Sequence, residues 1–189
     1  VGGNVEIKGF NELVKHAPAL HSTNGKIGLV LRLFGFSILA TAYFIISDQI
    51  PTWTIDSQIV VMALGYLILS RFFTQRKILI EKHKEMAYQH AFIRFVIPGL
   101  AIIFAAMAHI IYMNGPKFTQ PTITTVLSIL GWFCIVIGTI LWFRSVFTFG
   151  LDYITMVYTY FPEDGRIVNS SIYSILRHPV YAGALHIGI

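Results

Sequence analysis

An all-α fold, a polytopic transmembrane helix bundle with a cytoplasmic N-terminus, is predicted by three features of this sequence. The 189 residues are 55% hydrophobic and 12% charged, about half the roughly 25% charged content of soluble domains. The apolar residues gather in four runs close to the ~20 residues a helix needs to cross a ~30 Å hydrocarbon core. The basic residues fall almost entirely on one side of those runs.

The first 26 residues are mixed in character. Lys8, Asn11, Glu12, Lys15, His16 and Pro18 interrupt any apolar run, so this stretch is a cytoplasmic tail and not a signal peptide. The spans follow as Ile27–Ser47, Ile55–Phe73, Phe95–Met113 and Thr122–Phe143. Pro98 falls in the first turn of the third, where its missing N–H does little harm. Internal Gly, Ser and Thr suit close helix contact in lipid. A fifth span begins at Pro179, and the sequence stops within it at Ile189. That predicts a longer protein, truncated here. The stretch 74–94 is expected to carry the second span on as a helix and then turn back, its basic residues resting on lipid headgroups.

The connections set the orientation. Residues 48–54 hold no Lys or Arg, and residues 114–121 hold only Lys117. The other 13 of the 14 basic residues lie opposite. This positive-inside asymmetry puts the N-terminus, the 74–94 connection and the 144–178 segment in the cytoplasm. It accounts for the net charge of +5 without a nucleic-acid partner. The lone Cys134 lies in an apolar run and reads as buried and inert, with no disulfide framework and no Cys-based zinc motif.

Polar residues within the spans are few. His109, deep in the third span, is a functional candidate or a histidine hydrogen-bonded to a neighbouring helix. Arg32 can snorkel to the basic side. His83 and His90 have no carboxylate in a suitable frame, so no metal site is predicted. His186 faces either a pocket or a helix contact.

The 144–178 segment is too long for a structureless connection of no purpose. Ile154, Met156, Tyr158 and Tyr160 share a face if the chain is extended, and "PEDG" at 162–165 is a turn signal. A small hairpin or extended flap on the membrane surface is expected, the alternative being an interfacial amphipathic segment. Beyond it, "YSILRHPVYAG" sets Arg177 and His178 just before Pro179. Proline suits the first position of a helix, and a helix N-terminus favours an anion. Arg177 adds a planar fork for a carboxylate or phosphate. His178 titrates near neutrality, and Tyr181 is within one turn of both. The competing reading is an Arg/His pair snorkelling beside an aromatic belt.

The string "FGLDY…EDGRIVNSSIYSILRHPVYAG" resembles the isoprenylcysteine carboxyl methyltransferases and small phospholipid methyltransferases of membranes. The matching positions are Phe149-Gly150, Asp164-Gly165, Ile167-Val168, Tyr173, Arg177, His178, Pro179, Tyr181 and Gly183. Ser171 departs from the pattern, which has Gly there. The resemblance implies S-adenosylmethionine as methyl donor and a lipidic or prenylated acceptor, such as an isoprenylcysteine carboxylate. It makes 27–189 a methyltransferase-like membrane domain with its site segment at 144–183. The cofactor residues are then Tyr173, Arg177, His178, Pro179, Tyr181 and Gly183, with Arg177 and His178 also catalytic. A second family motif, beyond Ile189, completes the pocket, so this stretch alone is expected to be inactive. Two alternatives stay open: an NADPH-dependent sterol-type reductase, which shares an RHP-x-Y element, and a non-enzymatic scaffold. The acceptor, the oligomeric state, and the choice between a prokaryotic cytoplasmic membrane and the endoplasmic reticulum are not encoded here.

Overall fold

Ser22 opens the first long helix. Its hydroxyl accepts from the Gly25 N–H at 3.0 Å, the usual side-chain cap for an orphan amide. Gly25 is required there, because a Cβ would overlap the Ala19 carbonyl. The computed structural model describes residues 8–113 and 119–165. They are helical throughout: α1 (Phe10–His16), α2 (Thr23–Ser47), α3 (Thr54–Thr74), α4 (Arg76–His83), α5 (Ala87–Ala91), α6 (Ile97–Tyr112), α7 (Pro121–Phe149) and α8 (Leu151–Ile154), with short 3₁₀ turns between. Four helical stretches are long and apolar enough to cross a membrane: 23–47, 51–74, 76–112 and 121–141. The chain divides into two units, residues 12–115 and residues 1–11 with 116–189.

In the 12–115 unit α6 is the central helix. Nine of its 16 residues are buried, and both α2 and α3 pack on it. The core joins Ala40 and Phe44 of α2, Val61 of α3, and Ile102, Ala105 and Ala106 of α6. Lipid tails are as apolar as these side chains, so close packing and interhelical hydrogen bonds must hold the helices together. Small residues provide the packing. A Cβ on Gly99 would lie 3.1 Å from the Gly65 carbonyl, and one on Gly65 would lie 2.7 Å from Ile103 Cγ1. The hydrogen bonds run from the Ser37 hydroxyl to the Ala101 carbonyl at 3.4 Å and from Gln58 Nε2 to the Ala106 carbonyl at 2.8 Å.

The second span continues and turns back as the sequence predicts. α3 gives way to α4 at Gln75, and the reversal comes at Lys84, at φ +49. Tyr88 is wholly buried at the return, edge-on to Phe72 at 6.2 Å and stacked with Phe92 at 5.6 Å. Five residues of π-helix, Phe92–Val96, then lead into α6. Pro98 explains them: it has no N–H to give to Arg94, and the wider turn lets the Ile97 amide bond to the Phe92 carbonyl instead. Pro98 is therefore in the first turn of α6, as expected, but that helix is continuous with α5. Part of the N-terminal tail is folded too. Leu13, Val14 and Leu20 are buried, and the Ala19 amide donates to Gln89 Oε1 at 2.6 Å.

In the other unit α7 runs for 29 residues, about 43 Å at ~1.5 Å per residue, and so outreaches a ~30 Å core. The chain after it is not the expected hairpin. It forms three short helical pieces: α8, a 3₁₀ turn at Val157–Thr159 and another at Pro162–Asp164. Val157 and Tyr160 are the buried hydrophobic residues here. Their spacing of three is that of a helical turn, not the two-residue alternation of a strand. The Thr155 hydroxyl holds the Leu151 carbonyl at 2.6 Å, and Met156 takes the left-handed conformation at φ +60.

Candidate functional site

The residues predicted for the cofactor, Tyr173, Arg177, His178, Pro179, Tyr181 and Gly183, lie outside the described residues, as do Ile167, Val168, Ser171 and His186. The described part of the site segment is its approach: the end of α7, the Phe149-Gly150 junction, and the chain as far as the Asp164-Gly165 turn.

Gly150 is the pivot. At φ 105 and ψ 167 it occupies a region of backbone space open essentially to glycine alone. The helix must stop there, and the chain leaves α7 at an angle no side-chain-bearing residue would take. Gly165 differs. Its φ of −70 is ordinary, and its amide closes the turn on the Pro162 carbonyl at 3.1 Å. Its lack of a side chain matters for room, since a Cβ would lie 3.0 Å from that carbonyl.

Asp152, quoted in the motif but given no role by the sequence reading, is wholly buried. The Tyr158 hydroxyl donates to its Oδ2. A buried carboxylate is costly unless hydrogen-bonded, so its place two residues after the motif glycine is the signal that would have marked it. Lys8 meets the same junction from the N-terminal end of the chain. Its carbonyl accepts from the Leu151 amide at 2.9 Å, and its ammonium donates to the Thr148 carbonyl. A cation on the last carbonyls of a helix also complements the helix dipole.

His109 forms a second polar cluster, in the 12–115 unit. It is wholly buried and stacks on Phe44 at 3.8 Å. Nδ1 lies 2.7 Å from Gln58 Oε1. Because the Gln58 amide nitrogen is committed to the Ala106 carbonyl, Oε1 must accept, and the proton sits on Nδ1. Nε2 lies 2.8 Å from Asp48 Oδ2. The sequence reading found the histidine but neither partner. The signal was depth: Asp48 directly follows the first span and Gln58 lies near the start of the second, both on the side where the third span ends. The cluster joins three helices, so its first role is packing. Asp48→Ala would leave Nε2 buried without its partner, a loss of about 1–3 kcal/mol, read as a lower melting temperature in detergent. Asp48→Asn, which can still hydrogen-bond, should lose less.

The remaining residues of interest are unremarkable. Arg32 is exposed and Cys134 half-buried. His83 and His90 stack on each other at 4.0 Å.

No curated protein and no solved structure matches the chain. The polar junction after α7 nevertheless falls within a recognised pattern: residues 129–189, about a third of the chain, match the model of the isoprenylcysteine carboxyl methyltransferase (ICMT) family.

Proposed function

We propose that this protein is an integral membrane methyltransferase that moves a methyl group from S-adenosylmethionine to a prenylated or otherwise lipidic acceptor at the cytoplasmic face. The observation that carries the reading is the family match over 129–189, which takes in the whole RHP segment. Four apolar helices and the one-sided distribution of Lys and Arg support the membrane and the face.

The donor set suits the group. S-adenosylmethionine supplies, when bound, an electrophilic methyl on a sulfonium. Arg177 offers a bidentate fork for a carboxylate. His178 gives a hydrogen bond and is not required as a base, because a carboxylate acceptor attacks without losing a proton. Tyr173 and Tyr181 present aromatic faces that attract a cation. Proline is a residue type suited to the first position of a helix, and glycine adds no side chain to obstruct a ligand. The main contribution left to the protein is in-line placement, worth up to about 7–11 kcal/mol, in a partly dry site.

The test is the fate of a labelled methyl group. Membranes holding the full-length protein, given methyl-labelled S-adenosylmethionine and a farnesylated cysteine, should accumulate a base-labile ester that releases methanol. Label confined to ethanolamine lipids would reassign the acceptor. No label in any lipid would remove the methyltransferase reading.

A further inference from the structure

The contacts that surround Gly150 come from both ends of the chain. Lys8 and Gly9 are more than 130 residues from α8 in sequence, yet they group with the 116–189 unit. Four features fix them there. The Lys8 carbonyl takes the Leu151 amide at 2.9 Å. The Lys8 ammonium takes the Thr148 carbonyl, at the last turn of α7. Gly9 is left-handed at φ +76, and any Cβ on it would overlap Asp152 Oδ1. A Cβ on Gly150 would in turn lie 2.8 Å from the Lys8 carbonyl oxygen and 2.6 Å from Asp152 Oδ1.

We infer that Lys8 and Gly9 form a positioning clasp for the transferase segment, with Asp152 as its latch. The contacts continue toward the site. Asp152 is held by the Tyr158 hydroxyl, and Tyr158 lies beside Gly165, where a Cβ would touch its ring at 3.7 Å. Gly165 opens the stretch that leads to Tyr173 and Arg177. The N-terminal residues thus set the angle at which the chain leaves α7 and, through Asp152 and Tyr158, the place of the Asp164-Gly165 turn that precedes the RHP segment in sequence. They touch no reacting group, so theirs is a positioning role. Nothing in the sequence pattern of the family segment includes them. The inference rests on the proposed methyltransferase reading for its functional consequence, but its structural half can be measured alone.

The experiment uses the full-length protein in detergent, with Gly9→Val, Lys8→Ala and Lys8→Arg. Two readouts are taken: hydrogen exchange at the Leu151 amide, and kcat and KM for S-adenosylmethionine and for a farnesylated cysteine. Gly9→Val should deprotect Leu151 and cost about 10- to 100-fold in kcat/KM for the donor, the range expected for an ångström-scale misplacement. KM for the acceptor should hold, and the melting temperature should fall somewhat, because valine is strained at φ +76 and overlaps Asp152. Lys8→Ala should show a smaller loss in the same direction, and Lys8→Arg, which keeps a donor for Thr148, should restore it. Unchanged protection at Leu151 would overturn the clasp. Lost protection with unchanged donor kinetics would overturn its positioning role. If the wild-type protein transfers no methyl group, the methyltransferase reading and the positioning role fall together, while Leu151 exchange still decides whether the clasp exists.

Discussion

Arg177→Ala is expected to weaken retention of S-adenosylmethionine by a factor of about 30 to 5,000. The figure follows from the role proposed for the guanidinium. Removing one member of a buried, hydrogen-bonded charge pair costs about 2–5 kcal/mol, and each ~1.4 kcal/mol is tenfold. Much of that loss is the carboxylate left in a dry site without its partner. Arg177→Lys keeps the charge but not the fork, so it should fall between wild type and alanine. His178→Ala removes one hydrogen bond, about 0.5–1.5 kcal/mol, and should cost roughly tenfold or less. Equilibrium binding of labelled donor to the detergent-solubilised protein gives all three values. Insertion and monodispersity should not change. An alanine variant that bound the donor like wild type would withdraw the assignment of Arg177.

Gly150→Val is expected to be the most damaging substitution in the described part of the site. Its φ of 105 with ψ of 167 costs a side-chain-bearing residue about 1–3 kcal/mol. The new atoms would also press on the Lys8 carbonyl and the Asp152 carboxylate, adding an overpacking cost of about 1–3 kcal/mol. The end of α7 should open, deprotecting the Leu151 amide and lowering the melting temperature. Gly165→Ala is the control, because at φ −70 it meets only one tight contact, with the Pro162 carbonyl. It should cost little stability. Equal losses at the two positions would contradict the account of why the motif carries glycine at 150.

These two glycines also mark how far the sequence could be read. Both were visible as motif positions, but nothing in the letters separated the one demanded by backbone conformation from the one with an ordinary φ and a single close contact. The spans were legible because a membrane imposes length and apolarity on every crossing segment. Ser22 and the glycines between α3 and α6 follow from local rules of the same kind. The 151–165 stretch was not legible. Alternating tyrosines suggested a flap, yet a two-residue alternation specifies a strand only when a partner strand exists to pair with it. Here Met156, in the left-handed conformation, divides the chain into short helical turns, and Val157 with Tyr160 made the buried face instead. His109 was legible as a residue without its role, since Asp48 and Gln58 reach it from two other helices. Lys8 and Asp152 were missed for the same reason, as their contacts join opposite ends of the sequence.

The central claim is that the chain binds a methyl donor and not a nicotinamide. Equilibrium binding of labelled S-adenosylmethionine and of NADPH to the purified protein, side by side in the same detergent, tests it most directly. Saturable retention of S-adenosylmethionine, lost in Arg177→Ala, with no retention of NADPH, is the predicted result. Retention of NADPH alone would contradict it and make the RHP segment that of a reductase.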